Sequence, residues 1–197
     1  AKDVALDPHG YVTATIPANT KKSAPVVGLL AHVDTADGVT GANVNPVLTK
    51  DYAGGEIDMG NGYTLSPVEF PSLLLHIGEE IISTDGTTLL GADDKAGVAE
   101  IMTFAAHMLA PDAPEHGKIR IGFTPDEEVG RGVELFDVAA FGADFGYTVD
   151  GGTLGEINFE CFNAASAEIR IQGRSIHTGS AKGKMINASL LAMELHE

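Results

Sequence analysis

The chain has 197 residues, 44% hydrophobic and 20% charged, which suits a globular protein of one full domain and part of another. Its formal net charge of −16 argues against nucleic-acid or anionic-membrane binding, since both need a basic face. The one cysteine, Cys161, allows no intramolecular disulfide and no thiolate metal site, which fits a reducing, cytoplasmic location.

No apolar run approaches the ~20 residues of a membrane helix, and Ala1-Lys2-Asp3-Val4 does not open a signal peptide. Val26 to Ala31 is a continuous apolar run after Pro25, as expected of a strand buried on both faces of a mostly parallel sheet. From Asp37 to Leu90 glycines, prolines and turn pairs (Gly54-Gly55, Gly60-Asn61-Gly62, Asp85-Gly86) predict short antiparallel strands inserted between core strands. Asp94 to Leu109 then reads as a helix, with Val98, Ile101, Met102, Ala105 and Leu109 on one face and Pro111 ending it. Ile119 to Phe123 and Tyr147 to Val149 predict two further strands.

The pattern changes near Asn163. Ala167, Ile169 and Ile171 alternate with Glu168, Arg170 and Gln172, predicting a half-buried antiparallel strand. An amphipathic segment follows, with Asn187 as its N-cap. The layout predicted is an α/β domain over 1–162, with helices on both faces of its sheet, and the start of an α+β domain over 163–197.

Open α/β sheets carry their functional residues just past the C-terminal ends of strands. Four clusters fall there: His32-Val33-Asp34, Gly91-Ala92-Asp93-Asp94-Lys95, Thr124-Pro125-Asp126-Glu127-Glu128 and Asp150-Gly151-Gly152. Converging carboxylates raise one another's pKa unless cations neutralise them. Imidazole plus carboxylate is a ligand set that zinc accepts. Asp34 can take the free ring N–H of His32 and orient it. Adjacent Glu127 and Glu128 must point apart, so that one can ligate a metal while the other serves as general base. Each cluster also has a plainer reading: a surface His–Asp pair, a solvated glutamate face, a helix cap at Asp93-Asp94, a turn at Asp150. Their shared position at strand ends favours the chemical one. His9, His76, His107, His116 and His196 lie outside the clusters and read as structural or solvent-facing. His177, in a turn, reads by chemistry alone as filler.

Together, Ala31-His32-Val33-Asp34-Thr35, Leu89 to Gly97, Phe123 to Gly130 and Tyr147 to Gly152 resemble the clan of two-zinc aminopeptidases, carboxypeptidases and deacylases. The linking segments Asn43 to Pro46, Leu65-Ser66-Pro67, Asn163 to Ser166 and Ala181 to Lys184 resemble one family within it, the tripeptide aminopeptidases called peptidase T. The resemblance implies a zinc-exopeptidase-like catalytic domain followed by a lid, or dimerisation, domain. It implies that His32, Asp93 and Asp150 hold one zinc, and that Asp93 bridges to a second zinc also bound by Glu128. Glu127 is then the general base and Asp34 the partner of His32. His177 matches a lid histidine that helps polarise the scissile carbonyl. Two zinc ions per subunit, short peptides as substrates and a homodimer through the lid are implied as well. So is a much longer chain with a second-site histidine near its C-terminus. On that expectation these residues are a fragment, inactive alone and holding one metal well. A dipeptidase, carboxypeptidase or deacylase of the clan is the nearest rival, and a non-catalytic metal-binding module the rival of another class. The unligated Glu127 favours an enzyme over the latter.

Overall fold

The computed structural model describes residues 1–160 and 163–196. It divides into two compact units, Ala1–Glu156 and Ile157–Glu197. The boundary expected at 162–163 falls at residues partly outside those described.

The first unit opens with a hairpin of β1 (Lys2–Leu6) and β2 (Val12–Ile16). Asp7 makes its turn, accepting the N–H groups of His9 and Tyr11 at 2.8 and 2.9 Å, with Gly10 in the left-handed region at φ 94°. The apolar run forms β3 (Val27–His32). An insert follows, with β4 (Pro46–Thr49), β5 (Ile57–Gly60), β6 (Tyr63–Leu65), a 3-10 turn at Pro71–His76 and β7 (Ile81–Thr84). Its strands pair antiparallel as β4–β7 and β5–β6, around a small core of Tyr52, Ile57 and Leu73. Helix α1 (Ala92–Met108), β8 (Ile119–Thr124), the short α2 (Val138–Phe141) and β9 (Phe145–Thr148) complete the unit.

The main sheet has the order β1-β2-β8-β3-β9. It is parallel across β8-β3-β9 and antiparallel at the β1-β2 end. That hairpin makes the sheet mixed, where the sequence predicts a mostly parallel one. Side chains alternate across it. Ile16, Ala31, Ile119 and Ile121 face α1 and pack with its Ile101, Ala105 and Met108. On the opposite face Gly28 and Gly122 leave room for the Phe141 ring of α2: a Cβ on Gly28 would stand 2.8 Å from it and one on Gly122 3.2 Å. Helices thus cover both faces.

Two expectations need correction. The buried stripe of α1 is Ile101, Ala105 and Met108, whereas Met102 and Leu109 are 54% and 46% exposed. At 100° per residue they stand well off the Ile101 direction. In the second unit Ala167, Ile169 and Ile171 form no strand. An amphipathic strand needs a neighbour for its backbone groups, and among the described residues the only bridge of this unit joins Arg174 to Ile186. The unit otherwise holds a 3-10 turn at Thr178–Ser180 and α3 (Ala188–His196). Asn187 caps α3, accepting the N–H of Ser189 at 2.9 Å. Among the described residues no helix is long and apolar enough to cross a membrane.

Candidate metal centre

The sheet register sets the site. His32 of β3 stands level with Thr124 of β8. β9 ends at Thr148, opposite Leu30, and the N–H of Val149 still reaches the Leu30 carbonyl at 2.7 Å. Asp150 therefore emerges beside His32.

The His32 side chain is 2% exposed, and its Nδ1 lies 3.0 Å from the Asp34 backbone carbonyl oxygen. A carbonyl only accepts, so Nδ1 carries a proton and donates it. The other nitrogen, Nε2, stands 2.7 Å from Asp93 Oδ1 and 3.9 Å from Asp150 Oδ2. One ligand atom from each of His32, Asp93 and Asp150 lies within 4.8 Å of the others. Donors about 2.0–2.2 Å from a tetrahedral zinc stand roughly 3.3–3.6 Å apart, so the three fit such an ion with small side-chain shifts. The charge balance also fits. Burial lifts the Asp150 carboxyl above the usual carboxylate range and the Asp93 charge lifts it further, against the pull of His32. Burial pulls the His32 imidazole down, but the hydrogen bond to Asp93, the bond to Asp34 and the neighbouring charges outweigh it and hold it raised. Both shifts mark a place short of positive charge.

The structure divides the adjacent aspartates. Asp93 faces His32 with its side chain 69% exposed. Asp94 is buried, and its carboxylate accepts the N–H of His32 at 3.0 Å and that of Gly97 at 3.1 Å. Burial lifts the Asp94 carboxyl, opposed by the bond from His32. The capping and ligand readings of this pair thus fall on different residues, the Asp at three residues before Gly97 being the cap signal.

Asp34 differs from expectation. Its backbone oxygen, not its carboxylate, takes the His32 ring proton; Oδ1 stays 3.4 Å from Nδ1. The carboxylate instead accepts the N–H groups of Glu127 at 3.2 Å and Glu128 at 3.0 Å. Those two donors turn inward because the chain bends after β8. Asp126 is left-handed at φ 61°, and the turn closes by bonds from Gly130 to Glu127 and from Arg131 to Asp126. Glu127 brings Oε2 within 3.8 Å of His32 Nε2. Glu128, expected at a second zinc with Asp93, is not part of the group of three. A tight turn aims successive side chains apart, and the one that nears His32 is Glu127. His177 belongs to the second unit, where its Nδ1 accepts the N–H of Gly179 at 3.2 Å and caps the Thr178–Ser180 turn.

An imidazole and carboxylates thus gather at the strand ends of a mixed α/β sheet, with a glutamate beside them, as a candidate metal centre. Residues 159–197 match the family model described as the peptidase dimerisation domain. The chain is 57% identical to peptidase T of Geobacillus kaustophilus over 198 aligned residues, covering 100% of this chain and 48% of that protein. It is 55% identical to peptidase T of Bacillus licheniformis, covering 99% of this chain and 48% of the relative. The solved aminopeptidase PepT of Bacillus cereus superposes with a TM-score of 0.64 at 24% identity, over 97% of this chain and 45% of that one. A tripeptidase of Staphylococcus aureus gives 0.55 at 26% identity, over 77% and 34%. Over essentially its whole length the chain is similar to these peptidase T proteins, and it spans about half the length of the curated relatives it matches.

Proposed function

We propose that the whole protein is a two-zinc aminopeptidase of the cytoplasm that removes the N-terminal residue from tripeptides. It works as a homodimer through the domain to which residues 163–197 contribute. His32, Asp93 and Asp150 would hold the first zinc, and Asp93 and Glu128 would contribute to holding a second. Bound metal supplies Lewis acidity toward the peptide carbonyl and makes water acidic enough to ionise near neutrality. Glu127 takes the proton of the attacking water and returns it to the leaving amine. Asp34 holds the turn that carries Glu127. His177 helps to polarise the scissile carbonyl.

The observation that carries this reading is the grouping of His32, Asp93 and Asp150 within 4.8 Å, with Glu127 Oε2 3.8 Å from His32 Nε2. The 57% identity to a peptidase T supports the tripeptide substrate. The test is hydrolysis by the whole protein of free tripeptides, dipeptides and N-acyl amino acids, before and after chelation. Preference for tripeptides, lost with chelator and restored by zinc, is expected. Faster turnover of dipeptides or N-acyl amino acids would move the protein elsewhere in the clan, and chelator-resistant turnover would reject the metal site.

A further inference from the structure

We propose that Asp94 is a positioning residue for the metal ligands, its carboxylate clamping the end of β3 to the start of α1. This rests on the metal-centre reading above. Asp93 (φ −80°, ψ 109°) and Asp94 (φ −117°, ψ 33°) are not helical, so the regular part of α1 begins at Lys95. That makes Asp94 the N-cap and Gly97 the third helical residue, and the 3.1 Å bond from the Gly97 N–H to Oδ1 is an N-cap bond. An ordinary cap leaves its second oxygen to solvent. Here Oδ2 accepts the N–H of His32 at 3.0 Å, in a place only 3% exposed.

The sheet explains why that N–H is free. Alternate residues of a strand direct their backbone groups to the same neighbour. Leu30 directs its carbonyl to Val149 on the β9 side, so His32, two residues on, directs its N–H there as well. β9 has ended by then, its last paired residue being Thr148. A buried N–H without an acceptor is costly, and Asp94 supplies one. The same helical turn also meets the third ligand's segment. A Cβ on Gly97 would collide with the Val149 carbonyl oxygen, next to Asp150, and with Asp94 Oδ1. One carboxylate therefore ties together the backbones that carry His32 and Asp93, against the strand end that carries Asp150.

The experiment compares the whole protein with Asp94→Asn, Asp94→Ala and Asp137→Ala. The last removes another N-cap, whose side chain accepts the Ala140 N–H at 2.9 Å in α2. Cobalt(II) affinity is measured by competition with a chelating dye, the cobalt absorption spectrum is recorded, and the metal-free proteins are melted. Both Asp94 variants should bind cobalt ~10–100-fold more weakly, as loss of an outer-shell partner does, with an altered spectrum. Asp137→Ala should lower the Tm and leave affinity and spectrum unchanged. Asp94 variants with a lowered Tm but wild-type affinity and spectrum would reduce Asp94 to a helix cap and overturn the proposal. If Asp94→Ala does not fold, Asp94→Asn decides by the same criterion, since it keeps the size and one acceptor. A wild-type protein that binds no cobalt would instead refute the metal centre, and this inference with it.

Discussion

The Asp34 carboxylate accepts the backbone N–H of Glu128 at 3.0 Å, joining the loop after β3 to the loop after β8 across 94 positions of sequence. A second bond, from the Glu127 N–H at 3.2 Å, makes this a two-point hold on the turn that presents Glu127. Burial alone would raise the Asp34 carboxyl, but the N–H groups of Glu128 and Glu127 hold it below the usual carboxylate range. A depressed folded pKa means that the bonds stabilise the fold above the unfolded value of ~3.9 and stop doing so as pH falls through the folded value.

Asp34→Ala should therefore misplace Glu127 and lower kcat by on the order of 10²-fold. It should also lose stability at pH 7, and that deficit should shrink as pH falls below ~4. Steady-state kinetics and thermal unfolding against pH check both. Wild-type kcat in the variant would mean that Glu127 is positioned by something else.

Glu127→Gln and Glu128→Gln should separate base from ligand. The first should cost about 10²–10⁴-fold in kcat with metal content intact. The second should lose metal from the second site along with turnover. Elemental analysis beside kinetics distinguishes them, and equal metal loss in the two variants contradicts the assignment.

Asp150→Asn should trade metal binding for stability. Asp150 is raised first by burial and then by the Asp93 charge, so its folded pKa lies above its unfolded value. Such a group supports the fold below ~3.9 and that support is lost as pH rises through the folded pKa. Without metal, the variant should melt higher than wild type at pH 7, the gap closing toward pH 4, and it should not fill the first site. A metal-free variant that melts lower than wild type at pH 7 would contradict the charge balance described for the centre.

The buried stripe of α1 predicts unequal alanine substitutions. Ile101, 1% exposed, should cost about 2–5 kcal/mol on truncation. Met102, 54% exposed, should cost no more than about 0.5 kcal/mol. Urea unfolding of both variants measures the difference, and similar losses would return Met102 to the core face.

Much of this protein is legible in local sequence. The apolar run before His32, the turn pairs of the insert, the helical period before Pro111 and the cap at Asn187 each announce their elements, because strand burial, turn geometry and helix capping depend on residues a few positions apart. The clusters that contain His32, Asp93 and Asp150 stand out for the same reason, each following a recognisable strand or preceding a recognisable helix, whereas the choice of Asp93 over Asp94 rests on the family resemblance. Tertiary structure decided which acceptor each donor meets. It sent the Asp34 carboxylate to Glu127 and Glu128 rather than to the His32 ring, gave Asp94 the His32 N–H, and kept Glu128 out of the group of three. It also added the β1–β2 hairpin to the sheet through pairing with β8, and left Ala167 to Ile171 without strand pairing. Those outcomes depend on which strands become neighbours and where each one ends. Hydrophobic period carries no record of that, because a backbone N–H is satisfied equally well by any acceptor that the fold brings within about 3 Å.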